Sequence, residues 1–209
     1  MKKILVTAGP TRERIDPIRF ISNYSTGRFG YEIAREARRR GFDVTLISGP
    51  TALKTPSGVK IVRVETALEM REAVLKRSKN ADCIIMAAAV CDWKAKKPRQ
   101  KKIKKRGGKF VLELEQNPDI LKELGRRKRY ALVGFALETE GLEKNALKKL
   151  REKNLDIIVA NKLNGNKLFG SNNIDIVIID RQGLRARFRK KTKKALANII
   201  LDKALNFTI

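Results

Sequence analysis

Residues 83–90 read CIIMAAAV, a run without a polar side chain. A segment of that length and composition suits a strand covered on both faces. Such a strand belongs to a sheet with helices packed above and below it. The flanking sequence supplies the matching pieces. Ile4 to Ala8 is a second short apolar run, stopped by Gly9-Pro10, and Val44 to Ile47 is a third, halted at Gly49-Pro50. Ile61 to Val64, Ala131 to Leu137, Leu155 to Ala160 and Ile174 to Ile179 read as further strands. Between them, Tyr31 to Arg40 spaces Ile33, Ala34 and Ala37 as a helix that Gly41 closes. Thr66 and Glu69 form a capping-box pattern ahead of Ala67, Met70, Ala73 and Val74 at helical spacing. Leu142 to Lys153 is amphipathic, and a last helix begins at about Thr192.

One stretch breaks the alternation. Lys94 to Lys109 is dominated by Lys and Arg, with Gly107-Gly108 near its end, and predicts a mobile flap. Phe110 to Leu114 then alternates like a half-exposed strand. Asn117-Pro118 offers a helix cap with proline at the first helical position, the helix running to about Lys128. The expectation is a single domain over 1–209 of α/β class. It would be a Rossmann-like open, mostly parallel sheet with helices on both faces, plus the basic flap (about 94–109) and a small β extension. Ligands of such folds sit beyond the carboxyl ends of the strands. That points to Gly9 to Gly30, Ala87 to Asp92, Gly134 to Glu138 and Asn161 onward.

Composition removes several chemistries. The sequence has no histidine, which excludes His-based triads, imidazole bases and His-containing metal sites. Cys83 and Cys91 lack zinc-type spacing and read as core or near-site thiols, kept reduced. No window nears the roughly 20 apolar residues of a membrane span, and the residues after Met1-Lys2-Lys3 are too short for a signal core, so a cytoplasmic location is expected. The net charge of +26 favours anionic partners. Nucleic acid is one; phosphorylated small molecules fit equally well. Only 6% of residues are aromatic and no base-stacking motif is present, which counts against nucleic acid. A lysine-rich solvated surface also accounts for the charge.

Between the first strand and its helix about 20 residues stand where two to six are usual, which marks the loop as functional. It contains Ser22-Asn23-Tyr24-Ser25-Thr26-Gly27-Arg28-Phe29-Gly30. Glycines, hydroxyls and free N–H groups ahead of a helix N-terminus suit a phosphate. Turn glycines and a helix cap are the plainer reading. An NAD(P) reductase would need G-x-G-x-x-G straight after the first strand and an acid ending the second, and both are missing. No P-loop motif occurs.

These residues carry a resemblance. Thr7-Ala8-Gly9-Pro10-Thr11-Arg12-Glu13 and Asp16-Pro17-Ile18-Arg19-Phe20-Ile21-Ser22-Asn23-Tyr24-Ser25-Thr26-Gly27 resemble the opening of bacterial phosphopantothenate–cysteine ligases. So do Ala88-Ala89-Val90-Cys91-Asp92-Trp93, Lys102-Ile103-Lys104-Lys105, Asn117-Pro118-Asp119-Ile120, Gly134-Phe135-Ala136-Leu137-Glu138-Thr139 and Lys153-Asn154-Leu155-Asp156 through Ala160-Asn161. The resemblance implies a two-step reaction of coenzyme A synthesis. The carboxylate of 4′-phosphopantothenate takes the α-phosphate of CTP, releasing pyrophosphate, and the amine of L-cysteine then displaces CMP. Mg²⁺ would be held mainly by the nucleotide phosphates, with no protein ligand to the metal.

By the same resemblance, Asn23 hydrogen-bonds the acyl-cytidylate, Arg19 reaches a neighbouring site across a homodimer interface, and Lys102 closes over the nucleotide. Gly9, Ser25, Gly27 and Gly30 would surround the triphosphate. Phe135, Asp92 and the run Asn117, Pro118, Asp119 and Ile120 would line the nucleotide pocket. Ala88 and Ala89 would admit substrate. Lys149 and Lys153, four apart and so on one helix face, match lysines that contact CTP. Family members are often fused to a flavin-dependent phosphopantothenoylcysteine decarboxylase, for which these residues contain no counterpart. That makes the decarboxylase an expected partner, and the chain either free-standing or an excised half.

Overall fold

The computed structural model describes residues 1–105, 107–126, 128–163 and 172–208. The chain begins with β1 (Lys3–Ala8), the short strands β2 (Arg12–Arg14) and β3 (Phe20–Ser22), and helix α1 (Arg28–Arg39). It continues through β4 (Asp43–Ser48), β5 (Lys60–Arg63), α2 (Ala67–Ser78), β6 (Cys83–Met86), β7 (Trp93–Ala95) and β8 (Leu114–Gln116). Then come α3 (Ile120–Arg126), β9 (Ala131–Glu138), α4 (Leu142–Glu152) and β10 (Ile157–Lys162). The hairpin of β11 (Asn173–Asp180) and β12 (Arg185–Thr192) leads into α5 (Lys193–Leu205).

Eight strands form one sheet in the order β12-β11-β10-β9-β6-β1-β4-β5. From β5 to β10 the strands are parallel, and in their sequence order they read third, second, first, fourth, fifth, sixth. This is the doubly wound arrangement, whose switch point lies between β1 and β6. The two-residue period of a strand divides the core. Ile4, Val6, Ala8, Ile85 and Val159 pack with Ile33 and Ala37 of α1 and Leu196 and Ile200 of α5. Leu5, Ile84 and Ile158 meet Met70 of α2, Leu124 of α3 and Leu150 of α4 on the other face. The apolar run at residues 83–90 is therefore central, but its regular ladder ends at Met86. Among the described residues no helix is long and apolar enough to cross a membrane.

Several local expectations are corrected. The long loop after β1 contains an antiparallel hairpin, β2 with β3, that three-residue strands bearing charged groups do not announce. Helix α1 starts at Arg28, before Tyr31, because Gly27 turns the chain in with φ +74°. In the stretch 110–114 only Leu114 is in a strand; Phe110 and Val111 stand exposed. The strand β8 pairs instead with β7, so the flap has a hairpin base tied by Lys94–Glu115 and Lys96–Glu113 ion pairs. Helix α3 is capped by Asp119, whose carboxylate accepts the Lys122 N–H at 3.0 Å. Asn117 lies two residues outside the cap position, since the helix starts at Ile120, and its amide is turned instead to the neighbouring loop, where Nδ2 donates to the Cys91 carbonyl and the N–H to the Asp92 carbonyl. The helix was expected to run to about Lys128; it ends at Arg126, and residue 127 lies outside the described residues. So does residue 106 of the flap, as does most of the segment after Asn161, at 164–171. Strand β12 had no sequence signal, since Arg and Lys fill five of its eight positions. They suit an edge strand, where charge discourages pairing with another chain.

The buried Glu36 on α1 receives Arg39 at 2.6 Å and Arg40 at 3.1 Å, while Arg40 reaches on to Asp202 of α5. The Arg39 hydrogen bond outweighs burial and, with Arg40, draws the Glu36 carboxyl down to about 2. A depressed carboxyl stabilises the fold above its unfolded pKa, and the contribution is lost as pH falls from about 4.5 through about 2. In acid titrations followed by circular dichroism, Glu36→Gln is expected to flatten the stability slope across that window. An unchanged slope would remove Glu36 from the acid response.

Candidate active site

The carboxyl ends of β1, β6 and β9 open onto a site with two adjoining parts. The first is a glycine cradle. Gly9 follows β1 with φ +75°, and a Cβ on it would stand 3.0 Å from the Gly49 carbonyl oxygen after β4. Gly27, at φ +74°, would place a Cβ 3.1 Å from the Gly9 nitrogen. Three backbones thus meet where only hydrogen fits. Ser25 Oγ accepts the Gly27 N–H at 3.3 Å, and Thr26 Oγ1 meets the Arg28 N–H at 3.5 Å. The first turn of α1 aims the remaining N–H groups at the same place. Gly30 lies within that turn, and its lack of a Cβ lets α1 press onto β1, where a Cβ would meet that of Ala8 at 2.6 Å. Its structural contribution is close helix–strand packing, which the phosphate expectation did not include.

The second part is a cleft of about 460 Å³ whose lining includes Ala88, Asp92, Asn117, Phe135, Lys149 and Lys153. Pro118, Asp119 and Ile120 also border it. Small residues at the end of β6 give it room, and Phe135 crosses Phe29 of α1 edge-to-face at 5.3 Å, joining cleft to cradle. Lys149 and Lys153 do meet in this one cleft. Lys149 Nζ donates to the Phe135 carbonyl at 2.8 Å, and burial, then the Lys153 charge, lower its pKa. Lys153 pairs with Asp119 at 2.9 Å. Burial would raise the Asp119 pKa, but the Lys153 hydrogen bond and the Lys122 N–H bring it below the usual carboxylate range. Asn117 Oδ1 is buried without a partner, an acceptor open to a ligand donor.

Between the two parts, Asn23 Nδ2 donates to the carbonyls of Ala89 at 3.3 Å and Val90 at 3.1 Å. Ala89 itself bridges β1, donating to the Gly9 carbonyl at 2.9 Å and accepting the Thr11 N–H at 3.2 Å. The Thr7 and Thr11 hydroxyls accept the N–H groups of Ala88 and Cys91, fixing the two strand ends together. Cys91 borders the cleft, and burial raises its thiol pKa; Cys83, pushed up to about 12 by burial, is a core residue.

Arg19 is engaged within its own chain, donating to Asp16 at 2.6 Å and to the flap carbonyl of Ile103 at 3.2 Å. The flap, expected to be mobile, is hydrogen-bonded to the β2–β3 turn at Ile103 and Arg99. Lys102 is exposed beside this junction. Gly49, Thr7, Thr11 and Trp93 were not anticipated as site residues. Gly49-Pro50 had been visible only as a strand stop, although a glycine directly after a parallel strand is the available signal.

Comparison with known proteins is consistent along the chain. The family model of the DNA/pantothenate metabolism flavoprotein C-terminal domain matches residues 1–207. The coenzyme A biosynthesis bifunctional protein CoaBC of Bacillus subtilis is 46% identical over 185 residues, 87% of this chain and 46% of that protein. Its counterpart in Escherichia coli K12 is 41% identical over 205 residues, 95% of this chain and 50% of that protein. The chain thus spans about half the length of these relatives. A crystal structure of the CoaBC C-terminal domain, 42% identical, superposes with a TM-score of 0.83 and covers 97% of this chain and 93% of that one. A Cab2 complex with phosphopantothenate-cysteine, 16% identical, shares the fold with a TM-score of 0.79 over 98% of this chain and 87% of that one. Sequence and fold agree from end to end of the match, and the chain belongs to the DNA/pantothenate metabolism flavoprotein C-terminal domain family.

Proposed function

We propose that the chain is a phosphopantothenate–cysteine ligase that uses CTP. The observation that carries this reading is the convergence of a glycine cradle and a lysine-bearing cleft, with Asn23 between them. A nucleotide lying across the junction would have its phosphates at Gly9, Ser25, Gly27 and the N-terminus of α1, Gly30 included. Its base would lie toward Asn117, Pro118, Asp119, Ile120 and Phe135. The names of the relatives, coenzyme A biosynthesis proteins and a fold neighbour bound to phosphopantothenate-cysteine, support the same chemistry.

In the first step a carboxylate oxygen of 4′-phosphopantothenate attacks the α-phosphorus of CTP, and the bond to pyrophosphate breaks. In the second, the cysteine amine attacks the acyl carbon, the bond to the CMP oxygen breaks, and the amine loses its proton. Both steps develop charge on oxygen, which preorganised N–H donors and cations stabilise without a histidine. Asn23 would turn one N–H from the Ala89 or Val90 carbonyl to the acyl-phosphate group, and Lys149, Lys153 and Lys102 would offset nucleotide charge. Asp92 would face the nucleotide, with Ala88 and Ala89 leaving space for substrate. Mg²⁺ fits this donor set as an ion carried on the phosphate oxygens, neutralising them. The cradle offers N–H and hydroxyl groups, and among the described residues no group of three Cys, Asp or Glu side chains could hold a bare ion.

With purified protein and Mg²⁺, pyrophosphate is expected only when 4′-phosphopantothenate and CTP are both present, and CMP only once cysteine is added. Neither product appearing would sink the reading. Replacing Lys149 and Lys153 with Ala is expected to raise the KM for CTP by about tenfold or more, since hydrogen bonds to charged groups contribute ~1.5–3 kcal/mol. An unchanged KM would return both lysines to structural roles.

Working as a homodimer with shared sites is part of the proposal. Exposed Ile18, Phe20 and Tyr24 of the hairpin region, with Trp93, Phe110 and Leu114 of the flap, are apolar surface of the kind that assembly covers. Phe20→Glu is expected to shift light-scattering mass from dimer to monomer. A monomeric wild type would overturn the shared-site arrangement. A decarboxylase is the proposed consumer of the product, in keeping with relatives that are bifunctional and about twice the length matched here.

A further inference from the structure

Asp16 lies in the turn of the β2–β3 hairpin, yet its side chain is fully withdrawn from solvent. Its Oδ1 accepts the N–H groups of Ile18 at 2.9 Å and Arg19 at 2.8 Å, which is what an Asp needs to shape a turn. Its Oδ2 has other partners. It accepts Arg19 Nη1 at 2.6 Å and, from the flap, the N–H of Ile103 at 3.1 Å. Arg19 Nη1 in turn donates to the Ile103 carbonyl at 3.2 Å. Both backbone groups of Ile103 are therefore held by two side chains of one turn, directly beside Lys102. A further backbone bond, Arg99 N–H to the Ile15 carbonyl at 2.8 Å, anchors the start of the same segment. Burial would raise the Asp16 pKa, but the N–H groups of Ile18, Ile103 and Arg19 prevail and keep it ionised and below its ordinary range.

We propose that Asp16 is a positioning residue. Its buried carboxylate, with Arg19 as second arm, latches the flap at Ile103 and so fixes where Lys102 is presented to the nucleotide. The proposal rests on the ligase reading for its catalytic consequence, while the latch itself is a property of the chain. Geometry of this kind matters because a misplacement of 1 Å at a reacting group can cost ~10²-fold in rate.

Asp16→Asn keeps the size and the turn acceptor but replaces Oδ2 with an amide NH₂ facing two donors. Trypsin is expected to cut within Lys97–Lys109 several-fold faster, while the thermal midpoint moves by only a few degrees. Ligation kcat/KM is expected to fall about tenfold. In a Lys102→Ala background the same change is expected to cost less than about threefold, because residues acting through one group are non-additive. Ile103→Pro deletes the same hydrogen bond from the flap side and, although it blocks cleavage after Lys102, is expected to reproduce the faster cleavage at Arg99, Lys101, Lys104 and Lys105, which carries the test should Asp16→Asn fold poorly. Wild-type cleavage rates in both variants would overturn the latch. So would an Asp16→Asn loss equally large with and without Lys102. A wild type without ligase activity would overturn the ligase reading instead, leaving the cleavage comparison to judge the latch.

Discussion

Asn23→Ala is expected to bind CTP with near wild-type affinity and to complete the cysteine step ~10²–10³-fold more slowly, the scale for removing one preorganised donor to a developing oxyanion. Asn23 touches the protein through two carbonyls at the end of the β6 segment, those of Ala89 and Val90. Neither contact lies in the cradle, so nucleotide phosphates keep their donors when the amide is removed. The side chain is exposed and bears no core packing, so stability is expected to change little. Single-turnover quench separates the steps: pyrophosphate forms, and acyl-cytidylate accumulates until cysteine slowly consumes it. Normal CMP release would take Asn23 out of the reaction, and parallel losses of both steps would assign it to binding.

Gly49→Ala is expected to destabilise the fold by about 3 kcal/mol or more, beyond the usual 1–3 kcal/mol of overpacking. A Cβ there would stand 1.9 Å from the Pro10 carbonyl oxygen and 2.8 Å from its carbon, both backbone atoms that cannot rotate away. The strand end of β1 has to move, and Gly9 and Gly27 move with it. Loss of nucleotide binding should therefore accompany loss of stability. Gly107→Ala is the control: a Cβ there would have no atom within 4 Å, and a change within ~0.5 kcal/mol is expected. Denaturant titration and calorimetry with CTP test both claims. Native stability in Gly49→Ala would show that the three glycine backbones do not meet as described.

Much of the parallel sheet was visible in the sequence because the central strands are short, mainly apolar runs and helices such as α1 carry apolar residues at a 3.6-residue period. The cap at Thr66 was visible for the same local reason, its hydroxyl accepting the Glu69 N–H, and so was the start of the last helix at about Thr192, whose hydroxyl the structure shows accepting the Ala195 N–H. The β2–β3 and β7–β8 hairpins were not. Their strands are three residues long and are held by cross-strand pairs such as Lys94–Glu115, whose partners lie far apart in the chain. Likewise the cap falls on Asp119 because the helix starts at Ile120, while Cys91 and Asp92 hold the Asn117 amide against another loop.

The sequence by itself determined the fold class, the unusual length of the loop after the first strand, the absence of histidine and the placement of Lys149 and Lys153 on one helix face, since composition and period are local properties. Only the tertiary structure decided that Gly49 closes against Pro10, that Asn23 rests on the end of the β6 segment, and that Asp16 and Arg19 hold Ile103 of the flap. These are contacts between segments up to 87 residues apart. No local preference encodes them: they exist because a parallel sheet with its switch point between β1 and β6 gathers its loops at one end.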